Sequence, residues 1–86
     1  MILKFKWEKP KTQYTSGEDL YIKKIHVGGV FWDSTRSRDT AKIEGNYIIR
    51  SQFPFPKGAI RYYHDIEDGK IALENYITQY LSYLIV

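Results

Sequence analysis

Two histidines, His26 near a Gly-Gly pair and His64 before an acidic run, stand apart in the sequence. Neither has an H-x-x-H or His-x-x-Glu-His companion. His64 is followed by Asp65, Glu67 and Asp68, oxygen donors of the kind a divalent cation takes. Acidic residues there are better explained by a helix start, whose partial positive charge favours carboxylates. Asp33, Asp39 and Glu44 are available for acid–base work, but Asp33 and Asp39 more simply turn the chain and offset Arg36 and Arg38. Ser34, Thr35 and Ser37 have no neighbouring general base and no nucleophile-elbow motif. Gly28-Gly29 runs into Val30 and Phe31 instead of Lys-Ser/Thr and a helix, so it is no phosphate-binding loop. With no cysteine at all, zinc fingers, disulfide scaffolds and thiol catalysis are excluded. The expectation is a non-enzymatic protein with no catalytic residues, no metal site and no cofactor.

The charges carry more information. Residues 1–63 hold twelve Lys and Arg against six Asp and Glu, a net of +6, whereas residues 64–86 hold Lys70 against Asp65, Glu67, Asp68 and Glu74, a net of −3. The chemistry such a division suits is polyanion binding, in which ammonium and guanidinium groups displace counterions from phosphates. Lys4, Lys6, Arg50 and Arg61 are candidates on strands, and Arg36 and Arg38 are candidate phosphate forks on a polar loop. Trp32, or Tyr21 or Tyr63, offers a ring on which a base can stack. A plain solvated face carrying charges that block edge pairing is the competing reading. Tyr76, Tyr80 and Tyr83 form a second group, an aromatic rim suited either to core packing or to a protein interface, including a homodimer.

Positioning these groups falls to two kinds of element. Up to about residue 63 the apolar residues alternate with polar ones, the period of half-buried strands. Leu3, Phe5 and Trp7 oppose Lys4, Lys6 and Glu8. Lys9 to Glu18 reads as a loop. A strand from Leu20 to Val27 is expected to turn at Gly28-Gly29 into Val30, Phe31 and Trp32. Asp33 to Asp39 is a polar loop, after which Ala41, Ile43, Tyr47, Ile49 and Phe53 alternate. Gly45-Asn46 inside that run marks either a hairpin, which is favoured, or a bulged long strand. Pro54, Pro56 and Gly58 then precede a last strand from Ala59 to Tyr63.

After His64 the period becomes helical. Leu73, Ile77, Tyr80, Leu81 and Leu84 make one apolar stripe, Asp65 is an N-cap candidate, and Gly69 implies either a late start or a close approach to the sheet. The predicted fold is α+β: an antiparallel sheet of four to six strands, with one C-terminal helix of about 66–84 packed on one face. With Leu3, Phe5, Trp7, Ile43, Tyr47, Ile49, Ile60 and Tyr62 facing that helix, Lys4, Lys6, Lys42, Arg50 and Arg61 emerge together on the far side.

At 86 residues the chain suits one small domain, 1–86. Eight Tyr, four Phe and two Trp, each able to bury roughly 150–250 Å², compensate for its size. The alternating start lacks the apolar run of a signal peptide, and the charges after Ile66 exclude a membrane span, so an intracellular, cytoplasmic protein is expected.

Trp7-Glu8-Lys9, Trp32, Tyr47-Ile48-Ile49-Arg50, Phe53-Pro54 and Asp68-Gly69-Lys70-Ile71-Ala72-Leu73-Glu74, followed by Ile77 and Tyr80-Leu81, span most of the chain. This pattern resembles small uncharacterised phage and prophage proteins with a sheet and a C-terminal helix. The order of elements is also similar to integrase amino-terminal and plant AP2-type DNA-binding domains, in which a three-stranded sheet backed by a helix enters the major groove. What the resemblance implies is an accessory protein of a phage or mobile element. The leading expectation is binding of DNA or RNA through the basic sheet face by Lys4, Lys6, Arg36, Arg38, Arg50, Arg61 and Trp32. The alternative is a protein that modulates a host factor or defence system through Tyr76, Tyr80 and Tyr83. On the first reading, removing Arg36 and Arg38 weakens binding without affecting folding.

Overall fold

A computed structural model of the protein describes residues 4–9 and 17–85. Leu3 and the loop residues Pro10, Thr12, Thr15 and Ser16, assigned above from sequence, lie outside the described residues. The elements are β1 (Phe5–Glu8), β2 (Gly17–Ile22), β3 (Ile25–Trp32), α1 (Arg38–Glu44), β4 (Tyr47–Ser51), β5 (Tyr62–Tyr63) and α2 (Ile66–Ile85). The five strands form one antiparallel sheet in the order β1-β2-β3-β4-β5. Together with the C-terminal helix this is the expected α+β architecture. Among the described residues no helix is long and apolar enough to cross a membrane.

α2 lies across one face of the sheet and buries Leu73 and Ile77 against Leu20, Val27, Val30 and Ile49. Each of these six side chains contributes about 1.5–3 kcal/mol when removed from water. Phe5, Trp7, Tyr47 and Tyr63 complete the packing. Gly69 is inside the helix, where a Cβ would meet Val30 Cγ1 at 3.0 Å and Ile49 Cγ2 at 3.4 Å. Of the two readings of this glycine, close approach to the sheet is the observed one. The far end of the stripe overhangs the sheet: Leu84 is 64% exposed and Tyr83 85%.

Three sequence-based expectations are corrected. The β2–β3 turn is at Lys23-Lys24, with Lys23 at φ 57, and Gly28-Gly29 lies within β3. A register shift after Leu20 leaves Val27 as an extra residue, and a Cβ at Gly28 would stand 2.2 Å from the Arg50 carbonyl oxygen. The glycine is there because two backbones close on each other.

The second correction concerns 38–44, where a polar loop and the start of a strand were expected and a helix is found. Ser37 caps it by accepting a hydrogen bond from the Thr40 amide. Gly45, at φ 95, ends it and donates its N–H to the Ala41 carbonyl. Gly45-Asn46 is therefore a helix C-terminus, neither a hairpin turn nor a bulge. Ile43 is 79% exposed, outside the core to which alternation assigned it, and Lys42 belongs to this helix instead of the sheet.

The third correction is that the last strand shrinks from 59–63 to Tyr62–Tyr63, and its phase is inverted. Tyr63 pairs with Tyr47 and packs on the core, whereas Tyr62 pairs with Ile48 and faces away from α2. Ile60, expected to face the helix, is 63% exposed.

Candidate nucleic-acid interface

Strand pairing fixes what stands on the face opposite α2. Cross-strand partners share a face, so three rows run across the sheet: Lys6, Tyr21 and His26; Glu8, Asp19, Gly29 and Arg50; and Gly17, Phe31, Ile48 and Tyr62. Contacts agree with this assignment. Lys6 pairs with Glu8 at 3.0 Å two residues along the same strand, and His26 Nε2 lies 3.2 Å from Asp19 Oδ1. Tyr21 and His26 have ring centroids 5.3 Å apart at a tilt of 60°. Phe31, Ile48 and Tyr62 are half-buried, and Lys6, His26 and Arg50 are exposed.

A shallow depression of about 270 Å³ is lined by Lys6, Lys23 and Lys24 together with Tyr21 and Glu8. Sequence reasoning missed Lys23 and Lys24 as site residues because the turn was assigned to the glycines. The signal was present: two adjacent lysines interrupt the alternation between Ile22 and Ile25. The Lys6–Glu8 pair is solvated on both sides, so it contributes no more than about 1 kcal/mol and exchanges readily for a phosphate.

The other predicted residues are distributed over the molecule. Lys4 is exposed just before β1, and Arg50 stands on the face opposite α2, two strands from the depression's β2 side. Arg38 is exposed at the start of α1. Arg61 does not emerge with them: next to Tyr62 in sequence, it points to the α2 side, where its guanidinium lies 5.0 Å from the centre of the Phe55 ring. Trp32 is also on the α2 side and meets Tyr47 edge-on at 5.2 Å.

Arg36 is not an open phosphate fork. Its side chain is only 10% exposed, donates to Glu44 at 2.5 Å and stacks over the Tyr62 ring at 3.4 Å. The Tyr62 hydroxyl in turn donates to Asp33, whose other oxygen accepts from the amide and hydroxyl of Thr35. The bonds from Thr35, then that from Tyr62, hold the Asp33 carboxyl below its ordinary pKa. Asp33 and Glu44 thus serve structure, tying the loop and α1 to β5.

His64 Nε2 lies 3.1 Å from the Ile43 carbonyl oxygen, which places it at the same junction. Among the described residues, no group of three His, Cys, Asp or Glu side chains is arranged to hold a metal ion.

Tyr76 and Tyr80, two of the rim tyrosines, have partners within the molecule. Phe55 meets Tyr76 edge-on at 5.8 Å and Phe53 stacks on Tyr80 at 5.3 Å. Tyr83 stays exposed beside a slot of about 170 Å³ bounded by Pro54, Phe55, Pro56, Tyr76 and Tyr80.

Comparison with known protein families, with curated proteins and with solved structures gave no match.

Proposed function

We propose that the protein binds nucleic acid, without acting on it chemically, through the uncovered sheet face at its β1–β3 end. The observation that supports this reading is the clustering of Lys6, Lys23 and Lys24 around Tyr21 on the face opposite α2, with Arg50 on the same face. Lys4 and Arg38 are peripheral cations in this reading, and Arg36, Arg61 and Trp32 leave the contact set.

Four phosphate contacts correspond to a slope of log K against log[salt] of about −3 for a single strand and about −3.6 for a duplex. A labelled oligonucleotide titrated at several salt concentrations measures that slope. Lys23→Ala and Lys24→Ala are each expected to reduce it by roughly 0.7 on single strands. Absence of binding at low salt overturns the proposal.

A second reading, docking of a protein partner, is favoured by Tyr83 standing exposed at the proline-bounded slot. Capture of a partner that survives nuclease treatment and is lost in Tyr83→Ala favours that reading over the first.

A further inference from the structure

We infer that the nucleic acid taken by this face is single-stranded, with bases stacking on Phe31 and Tyr21. The inference rests on the nucleic-acid reading above and adds the form of the ligand. Its basis is the way Phe31 lies on the sheet. A Cβ at Gly29 would stand 2.6 Å from Phe31 Cζ and 2.7 Å from Cε2, and one at Gly17 would stand 3.0 Å from Cδ1. The ring therefore occupies the space that side chains at two neighbouring positions would fill, on the solvent-facing side of the sheet. A ring laid over glycine backbone in this way presents apolar surface outward as a platform.

Tyr21 supplies a second ring on the same face, beside Lys6, Lys23 and Lys24. The rows of Tyr21 and Phe31 are separated by the row of Gly29, a spacing of about 13 Å along the strands. In the row between them the Phe31 ring leans over Gly29, with the Arg50 cation towards β4 and the Asp19 and Glu8 carboxylates towards β1. Two rings on one sheet face, with lysines beside one and Arg50 beside the other, suit a strand whose bases are splayed out. A duplex hides its base faces, and among the described residues this face carries no helix or ribbon to enter a groove, so a duplex has only the lysines and Arg50 to contact.

Other rings lack this geometry, Tyr63 among them because it packs on the core. Tyr62 shares the face, but Arg36 covers its ring. Trp32 is on the opposite side.

Short oligothymidylate, oligouridylate and a duplex of matched length, titrated by fluorescence anisotropy at one salt concentration, test the inference. Single strands are expected to bind at least about tenfold more tightly than the duplex, and the tighter of the two single-stranded arms identifies the polymer. Phe31→Leu keeps apolar bulk but removes the ring. It is expected to weaken single-strand binding by about 5- to 150-fold, leaving the salt slope and duplex binding unchanged. A 2-aminopurine oligonucleotide on the unaltered protein gives a readout that needs no variant: stacking quenches its fluorescence. Equal affinity for single strand and duplex, with no quenching, overturns the stacking inference while the nucleic-acid reading stands. Binding to none of the three oligonucleotides removes both.

Discussion

Tyr63 and Tyr76 direct their hydroxyls to the same backbone residue. Tyr63 donates to the Ile60 carbonyl at 2.8 Å, and the Tyr76 oxygen accepts from the Ile60 amide at 3.3 Å. Burial, helped by Tyr76, pushes the Tyr63 pKa up to about 12 from 10.0. An acid whose folded pKa is raised stabilises the fold fully below its unfolded pKa, and that contribution disappears as pH climbs through the folded value. The segment before β5 is therefore expected to loosen between about pH 10 and 12. Absorbance titration of the tyrosines together with far-UV circular dichroism checks this, and Tyr63→Phe should shift the alkaline loss of structure upward.

Arg36 makes the opposite point to a surface charge. Its stacking and pairing predict that Arg36→Ala lowers stability by about 1–2 kcal/mol in urea unfolding and leaves the salt slope of binding unchanged. This reverses the expectation drawn from sequence. Lys70 behaves similarly: the base on the acidic helix pairs with Glu18 and Glu67 and lies 5.4 Å from the Trp7 ring, whose Nε1 donates to Glu74 at 2.8 Å. It fastens α2 to β1 and β2 instead of facing a ligand.

At the level of elements, β3 bears the most constraints. Its glycines do two different things. Gly28 lets β3 and β4 close at the register shift, while Gly29 makes room for Phe31. Gly28→Ala pushes a methyl group against the Arg50 carbonyl, which is backbone and cannot swing away, so a loss of about 1–3 kcal/mol is expected in urea unfolding. An unaltered midpoint would show that the strands are not held this close. The Lys23-Lys24 turn shows the other side of the same choice. Lys23 adopts a positive φ that glycine tolerates better, yet the lysine puts its charge beside the depression.

Over the whole molecule, the Cα extents of 42 × 31 × 17 Å describe a slab. That thickness accommodates two layers, the sheet and α2. Lys6, Lys23, Lys24 and Arg50 belong to the side opposite α2 or its rim, where Glu8 and Asp19 offset part of their charge, and the exposed Asp65, Glu67 and Asp68 lie at the start of α2 on the other. Such a field orients an approaching polyanion and is screened over about 8–10 Å at physiological salt. The association rate constant for an oligonucleotide, followed by stopped-flow fluorescence, is therefore expected to fall steeply as ionic strength rises. A salt-independent rate would contradict this charge arrangement.

Local periodicity alone determined the alternating first strand, the C-terminal helix with its Leu73–Ile77 stripe, the antiparallel α+β class and the positive sheet half against a negative helix. These depend on neighbours one to four residues apart, which the sequence displays directly. Tertiary structure decided the rest. Whether Gly28-Gly29 turns or continues depends on how closely β4 approaches, and whether Ala41 and Ile43 belong to strand or helix depends on the Ser37 cap and on Gly45 meeting β5. The far-side cation set changed for the same reason: one inverted strand phase sent Arg61 to the helix side, and a stacked tyrosine took Arg36 out of solvent. Side-chain direction across a sheet follows from pairing between distant segments, and a change of a single residue in that pairing exchanges the two faces.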